Sequence, residues 1–207
     1  MKKICVVDYG VGNIFSVAHA LEKCGAQVKL VTYPEEILVA DKLILPGVGA
    51  FGDCIAEIRK RELDSAIVEY ANSGKLLFGI CVGMQVMMTK SFEFGEHAGL
   101  NLIAGSVERI PDKKLNGSGH KVPYVGWAKI QMLNSNPIIN GINDNWGYFV
   151  HSYEVKTHNV DDLAAYYNYN GNKIAAVILK NNIIGCQFHP EKSGTMGLRL
   201  LEQFIIA

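Results

Sequence analysis

The chain has 207 residues, and 49% of them are apolar, so it can bury a substantial core without disulfides or metal ions. Its 20 basic and 20 acidic side chains balance, which removes the electrostatic case for binding nucleic acid or an anionic membrane. No segment approaches the roughly 20 apolar residues of a membrane-spanning helix. The first apolar run is broken too early, by Asp8 and Gly10, for a signal sequence. We therefore expect a cytoplasmic protein.

The cysteines are odd in number and widely spaced, and no C-x-x-C pair occurs among them: Cys5, Cys24, Cys54, Cys81 and Cys186. This pattern argues against a disulfide framework and against a structural zinc site. We predict that most of them are buried thiols and that the chain holds no metal.

The first half of the chain alternates apolar runs with amphipathic segments. Strands are predicted at KICVVDYG, AQVKLVTY, DKLILPG and KLLFGI. Helices are predicted at NIFSVAHALEKCG with Gly25 as its cap, at CIAEIRKRELDSAIVEYANSG as one stretch closed by Gly74, and at MQVMMTK. This alternating order is typical of parallel strands joined by crossover helices, which predicts an α/β fold.

The second half of the chain changes to shorter, alternating strands with Pro, Gly and Asn turns. Such strands are predicted in VERIPDKKLNGSGHKVPYVGWAKIQ and WGYFVHSYEVKTH, two hairpins in LAAYYNYNGNKIAAVILKNNIIGCQFHP, and a last helix in TMGLRLLEQFIIA. No linker or repeat interrupts the chain, so we expect one domain over residues 1–207, built on one mixed sheet. The segment PDKKLNGSGH is expected to be the most mobile loop.

The segment DYGVGN follows a strand and opens a helix, as a dinucleotide-binding fingerprint does. The position of the third glycine is occupied by Phe15, so the fingerprint fails. We interpret the segment as a tight strand-to-helix turn and predict no cofactor.

The segment GICVGMQ places Cys81 between Gly79 and Gly83, after a strand and before a helix. This is the context of a nucleophile elbow, in which a side chain on either glycine would clash with the strained turn. The amide of Val82 would then be free to hold an oxyanion. On this motif alone, a catalytic cysteine and a buried thiol remain alternatives.

A cysteine nucleophile needs a base, and His189 differs from the other five histidines. The apolar strand in GCQFHPE stops at His189, and catalytic groups collect at such strand ends in α/β sheets. Glu191 is spaced to accept the second ring N–H, which gives a triad of the acyl-transfer type. An H-x-E metal pair is the alternative, but no third ligand cluster supports it.

The segment LPGVGAFGD also ends a strand. Its glycines allow backbone amides to approach a ligand closely, as a second oxyanion donor requires. Taken alone, the segment is more typical of a flexible turn.

Together these motifs resemble the class I (triad) glutamine amidotransferases over essentially the whole chain. Within them the sequence is most similar to the glutaminase subunits of imidazole glycerol phosphate synthase, and the stretches KVPYVGW and YFVHSY narrow the resemblance to that group. The stretch PGVGAF argues against the pyridoxal phosphate synthase glutaminases, which typically have Gly-Gly-Glu-Ser-Thr there. The resemblance implies a flavodoxin-like α/β fold, with a central mixed, mostly parallel sheet flanked by helices and an antiparallel extension.

The resemblance implies that the chain hydrolyses L-glutamine to glutamate and ammonia. Cys81 would attack the side-chain amide, His189 would relay protons, and Glu191 would orient His189. The oxyanion would be held by the amide of Val82 and by an amide near Val48 or Gly49. Glutamine would be bound by Gln85 and the backbone of His151, Ser152 and Tyr153.

The resemblance also implies a heterodimer partner, a (β/α)8 cyclase/synthase that uses the ammonia to make imidazole glycerol phosphate and AICAR in histidine biosynthesis. The positions that match the partner face of the family are Asn13, Trp127, Tyr148 and Lys192. One stretch departs from the family pattern: it commonly contains VPHMGWN, and this chain has VPYVGWA, with changes at Tyr124, Val125 and Ala128.

Because of that departure, a paralogue that supplies ammonia for amino sugars of surface polysaccharides remains an alternative. Two further alternatives belong to other classes of protein. One is a catalytically silent binding or regulatory module on the same fold. The other is a cysteine peptidase or deglycase-like protein of similar architecture.

Overall fold

The structure, a computed structural model, describes residues 3–113, 119 and 121–207. The helices of this part of the chain are α1 Ile14–Lys23, α2 Pro34–Leu38, α3 Phe51–Lys60, α4 Leu63–Asn72, α5 Val82–Gln85 and α6 Gly194–Ile206. The strands are β1 Lys3–Val7, β2 Gln27–Val31, β3 Lys42–Leu45, β4 Leu77–Ile80, β5 Met88–Ser91, β6 His97–Ala98, β7 Ile103–Arg109, β8 Tyr124–Met132, β9 Trp146–His151, β10 Tyr153–Thr157, β11 Leu163–Tyr169, β12 Asn172–Lys180 and β13 Ile183–Cys186. None of the helices in these residues is both long and apolar enough to cross a bilayer.

The main sheet of the described residues has nine strands in the order β2-β1-β3-β4-β13-β12-β11-β8-β9. The pairs from β2 to β13 are parallel, and those from β13 to β9 are antiparallel. The predicted mixed α/β sheet with an antiparallel extension is therefore confirmed, and this extension is as large as the parallel part. The parallel pair β4/β13 aligns Ile80 with Cys186, so the residues that follow both strands emerge at one edge.

A second sheet has the order β10-β7-β5-β6 among the described residues, where one mixed sheet was expected. The prediction of a helix at MQVMMTK was therefore wrong. Helix α5 ends at Gln85, and Met88–Ser91 form β5, which pairs in parallel with β7. A short apolar run fits a buried strand as well as a helix, and its partner strand decided between them.

The predicted single helix from Cys54 to Gly74 was also wrong, because α3 and α4 are separated by Glu62 with φ +59°. The buried residue Ile58 is followed by the buried residue Leu63, five positions later. A continuous helix keeps one face buried only at spacings of three or four. The break at Glu62 returns the apolar face of α4 to the core. Gly74, with φ +81°, ends α4 as predicted.

The expectation of shorter strands in the second half was wrong: β8 and β12 have nine residues each, against four or five in β1 to β4, because antiparallel neighbours pair along their whole length. The predicted turns are confirmed. The two antiparallel hairpins β11/β12 and β12/β13 turn at 170–171 and 181–182. Gly25 follows α1 with φ +86°. Of the segment expected to be the most mobile loop, residues 114–118 and 120 lie outside the described residues.

Candidate active site

Cys81 lies between the end of β4 and the start of α5, with φ +55° and ψ −115°. A cysteine rarely adopts such a backbone, and the surrounding structure must hold it there. Its own amide donates to the carbonyl of Cys186 at 2.8 Å, which ties the turn to β13. The predicted strand–turn–helix context of an elbow is present, and the residue is 4% exposed.

The two glycines of the elbow are required by contacts on both sides. A Cβ on Gly83 would overlap the carbonyl oxygen of Leu45, at the end of β3. A Cβ on Gly79 would lie 2.8 Å from the backbone oxygen of Gly83 and 2.6 Å from the Cε of Met87. The folded chain therefore has no room for a side chain at either glycine, as the motif predicts.

His189 contacts both of the other predicted triad residues, Cys81 and Glu191. Its ring is hydrogen-bonded to the Cys81 side chain, and its Nδ1 lies 2.9 Å from Glu191 Oε1. The side chains of His189 and Glu191 are 6% and 1% exposed, respectively. Burial lowers the pKa of His189, but the hydrogen bonds to Cys81 and Glu191 outweigh burial and raise it to about 9. The ring therefore carries its proton at neutral pH, next to the sulfur of Cys81.

We expect His189 to titrate near pH 9 in NMR spectra of the histidine-labelled protein, rather than near the ordinary value of 6.5. Cys81→Ala or Glu191→Gln removes one of the hydrogen bonds that raise the pKa, so each variant lowers the midpoint. Because the pKa is higher in the folded state, the proton on His189 stabilises the fold fully below about pH 6.5. This contribution is lost as the pH rises through about 9. Cys24→Ala is the control with no change, and a wild-type midpoint at or below 6.5 would contradict the assignment.

A cleft of about 420 Å³ opens in front of Cys81 and His189. It is lined by every residue that the sequence predicted to bind the substrate or the oxyanion: Val48, Gly49, Val82, Gln85, His151, Ser152 and Tyr153. Glu93, Pro123, Val150 and Lys192 complete its wall. Glu191 lines a different cleft, between α1 and α6. The chain thus brings the predicted substrate residues together around the thiol.

Both ring nitrogens of His151 are hydrogen-bonded to residues of the cleft wall or behind it. Its Nδ1 lies 2.8 Å from the carbonyl oxygen of Tyr153, and its Nε2 lies 2.9 Å from the hydroxyl of Tyr167. Burial lowers the pKa of His151 to about 4, so the ring is neutral. A carbonyl oxygen only accepts, so Nδ1 carries the proton and the hydroxyl of Tyr167 donates to Nε2. The ring therefore braces the wall and is not placed to act as a base.

The glycine-rich segment after β3 is held by two side chains. The hydroxyl of Tyr9 donates to the carbonyl of Pro46 at 2.6 Å, and the thiol of Cys54 donates to the carbonyl of Val48 at 3.4 Å. In a trans peptide the carbonyl and the following amide point in opposite directions. The amide of Gly49, which has φ +91°, is therefore directed away from Cys54.

Two residues of the site were missed at the sequence level. Glu93 lines the cleft, accepts from the Phe51 amide at 2.6 Å, and has a pKa raised by burial. It follows β5, which was mistaken for helix, so its position could not be foreseen. Gln187 is fully buried, and its Nε2 lies 3.7 Å from the sulfur of Cys81. The available signal was a polar residue inside the apolar run GCQFHP.

The residues predicted to meet a partner come from three parts of the chain. Trp127 and Tyr148 face each other across β8 and β9, with ring centroids 5.7 Å apart, and Trp127 is 49% exposed. Asn13 is half-buried just before α1, and Lys192 is exposed at the cleft.

The three departures from the family stretch are divided between the faces of β8. Tyr124 packs its ring 4.6 Å from that of Tyr169 and 5.1 Å from that of Tyr167, and its hydroxyl donates to the carbonyl of Trp127. Ala128 is buried. Only Val125 is on the exposed face.

An elbow thiol beside a buried His–Glu pair, on a mixed sheet of this order, is the arrangement expected of a triad glutamine amidotransferase. The chain matches the profile "Glutamine amidotransferase class-I" over residues 5–207, and it belongs to that family. The predicted family and fold class are confirmed.

The names of the chain's relatives point to one particular group within this family. The chain is 44% identical to "Imidazole glycerol phosphate synthase subunit HisH 1" of Legionella pneumophila strain Paris, over 99% of both chains. It is 46% identical to the HisH subunit of Methanosarcina barkeri, over 99% of this chain and 98% of the relative. The HisH subunit of Bacillus subtilis is 41% identical, over 97% and 94% of the two chains.

Solved structures support the fold alone, because their identity to this chain is low. The structure of PurLQS from Thermotoga maritima superposes with a TM-score of 0.77 at 21% identity, over 99% of this chain and 97% of that one. A glutamine amidotransferase from the same organism gives a TM-score of 0.61 at 13% identity, over 92% of this chain and 76% of that one.

Proposed function

We propose that this chain is the glutaminase subunit of an imidazole glycerol phosphate synthase. It hydrolyses L-glutamine to glutamate and ammonia and passes the ammonia to a (β/α)8 cyclase/synthase partner in histidine biosynthesis. The observation that carries the proposal is the Cys81 thiol hydrogen-bonded to the buried His189–Glu191 pair at the wall of a cleft. The whole chain, residues 1–207, acts as one amidotransferase domain, and it works in the cytoplasm.

The reaction follows from the arrangement of the triad and from the proton on His189. The Cys81 thiolate attacks the side-chain carboxamide carbon, and the tetrahedral intermediate collapses as the C–N bond breaks. His189 gives its proton to the leaving nitrogen, which departs as ammonia. Water then cleaves the glutamyl thioester, with the neutral ring as the base that receives its proton. Glu191 orients the ring and balances its charge when it is protonated.

The oxyanion of the intermediate needs donors that are already in place. The amide of Val82 is the first of α5 and has no acceptor within the helix, and Val82 lines the cleft. One amide of the Val48–Gly49 segment supplies the second hydrogen bond.

Gln85 and Glu93 account for the recognition of an amino acid. Both hydrogens of the Gln85 amide nitrogen are used, by the carbonyl of Tyr153 at 3.2 Å and by Gln187 Oε1 at 2.9 Å. Its own oxygen therefore faces the substrate only as an acceptor, which suits the α-ammonium group of glutamine. The Glu93 carboxylate provides the matching charge. The backbone of His151, Ser152 and Tyr153 forms the rest of the site.

The partner binds on the exposed face of the β8/β9 hairpin. Trp127 and Tyr148 form its centre, and Val125, Trp146 and Val150 extend it as exposed apolar side chains. Large aromatic side chains are typical anchors of interfaces. The carbonyl of Tyr148 accepts from the amide of His189 at 3.0 Å. A partner that contacts Tyr148 is therefore connected to the backbone of the catalytic histidine through a single hydrogen bond. Lys192, at the cleft, and Asn13 border the same interface.

The exposed Val125 favours a second candidate, because it lies on this face where the family commonly has methionine. In that case the partner is the cyclase-like barrel that builds nitrogen-bearing sugars of surface polysaccharides. The chemistry of the cleft is the same in both candidates, and the partner distinguishes them.

We expect the chain to bind the (β/α)8 subunit of a histidine-pathway synthase, and glutamate release to rise when the nucleotide substrate of that subunit is present. Trp127→Ala weakens this binding about thirtyfold, as loss of a central aromatic anchor does. Calorimetric titration and a glutamate assay measure the two effects. Tyr33→Ala, an exposed aromatic residue outside the hairpin, is the matched control without effect. Activation only by an amino-sugar cyclase would assign the second candidate, and no glutaminase activity with either partner would refute both.

A further inference from the structure

A continuous buried hydrogen-bonded chain leads away from the nucleophile. Gln187 Nε2 donates to the sulfur of Cys81 at 3.7 Å, and Gln187 Oε1 accepts from Gln85 Nε2 at 2.9 Å. Gln85 Nε2 also donates to the carbonyl of Tyr153 at 3.2 Å, and the ring of His151 donates to that same carbonyl. Gln85 and Gln187 are 3% and 0% exposed, so water does not compete for these bonds.

The direction of every bond in this chain is set by one backbone group. The carbonyl of Tyr153 can only accept, so Gln85 must turn its NH₂ group toward it. The second hydrogen of that group then requires an oxygen from Gln187. Once the oxygen of Gln187 is used in this way, its NH₂ group faces Cys81. The orientation of Gln187 thus follows from the fold and does not depend on an arbitrary choice between its nitrogen and its oxygen.

We propose that Gln187 is a positioning residue for the Cys81 nucleophile: its amide N–H holds the sulfur toward the cleft and stabilises its negative charge. The inference rests on the proposed function, since it concerns the same thiol. A hydrogen bond to a charged sulfur in a site closed to water is stronger than one in solution. His189 provides the other hydrogen bond, so the sulfur is held from two sides.

The side chain of Gln187 can be replaced without removing the backbone hydrogen bond that holds the end of its strand. Its backbone amide donates to the carbonyl of Ala176 at 2.9 Å, which fixes the strand end without the side chain. Both neighbours, Cys186 and Phe188, are buried and apolar. Methionine has nearly the same length and volume as glutamine and lacks its donor and acceptor. Gln187→Met therefore removes the hydrogen bonds and leaves the packing nearly intact.

We expect Gln187→Met to shift the pH midpoint of Cys81 alkylation by iodoacetamide upward by about one unit, which is about tenfold slower reaction below the midpoint. The site of alkylation is read by mass spectrometry, and thermal melting checks the fold. The kcat for glutamine falls by a similar factor. A change in KM reports the separate loss of the hydrogen bond from Gln187 Oε1 that orients Gln85 in the cleft. Gln131→Met, the same substitution on β8 away from the thiol, is the matched control with no shift.

A second variant separates hydrogen-bond donation from shape. Gln187→Glu is closer in shape than methionine but places an acceptor against the sulfur. If donation matters, its alkylation midpoint rises at least as far as that of Gln187→Met. If only shape matters, Gln187→Glu stays nearer the wild type, and this order would overturn the proposal.

The alkylation readout needs neither glutamine nor a partner, so the two proposals can fail separately. If Gln187→Met shifts the pH midpoint of Cys81 alkylation but the wild-type chain hydrolyses no glutamine, the role of Gln187 is supported and the proposed function is refuted. An unchanged midpoint and kcat for Gln187→Met in an active glutaminase would refute the role of Gln187 alone.

Discussion

Cys81→Ala is expected to reduce glutamine hydrolysis by at least about a thousandfold, while the synthase complex still makes its product from added ammonium salts. The variant removes the sulfur that forms the thioester in the proposed mechanism. Ammonia supplied from solution bypasses the glutaminase step. Glutamate release and product formation from ammonium measure the two halves of the reaction separately.

The assignment of the nucleophile can be checked directly with a glutamine analogue that carries an electrophile at the side-chain carbonyl. Mass spectrometry is expected to locate the adduct on Cys81. Cys24→Ala, a half-buried thiol elsewhere, is the control that keeps full activity. Labelling of another residue would contradict the mechanism. Absence of any thioester with partner and nucleotide present would favour a silent binding module, and turnover of peptides instead of glutamine would favour a peptidase-like protein.

Gly83→Ala is expected to lower the free energy of unfolding by about 3 kcal/mol or more and to abolish activity with it. The added Cβ overlaps the carbonyl oxygen of Leu45, and both sides of this contact are backbone. The clash can be relieved only by moving α5, which carries the elbow, or the segment after β3, which borders the cleft. Urea unfolding monitored by circular dichroism measures the loss of stability.

Gly141→Ala is the matched control for this experiment. A Cβ at that position meets nothing within 4 Å, and its φ is not in the left-handed region. We expect it to change the free energy of unfolding by less than about 1 kcal/mol. A Gly83→Ala variant as stable as Gly141→Ala would contradict the close approach of α5 to β3.

Much of the candidate site could be predicted because its signals are local. An elbow needs small residues two positions on either side of the nucleophile, so Gly79 and Gly83 mark Cys81 in any chain that folds this way. The spacing between His189 and Glu191 likewise reports a contact within one turn. The asparagine residues in their turns predict the hairpins β11/β12 and β12/β13. The roles of these site residues stay predictions until the experiments above are done.

Other parts of the fold could not be found in this way. The break at Glu62 depends on how the apolar faces of α3 and α4 both pack against the core. Strand β5 depends on β7 as its parallel neighbour. Local propensity favoured a helix at both places, and tertiary packing overrode it. Glu93 was missed for the same reason, since its place in the cleft depends on the second sheet.

The sequence by itself determined the family and the α/β class and predicted the triad, because each of these is encoded in motifs of a few residues whose backbone requirements are local. Only the tertiary structure decided that β4 lies beside β13, which brings Cys81 to His189 and to Gln187. It alone decided the direction of the hydrogen bonds around the thiol, since these start from the carbonyl of Tyr153 on another sheet. Hydrogen-bond direction and strand order are properties of distant segments in contact, and no local pattern carries them.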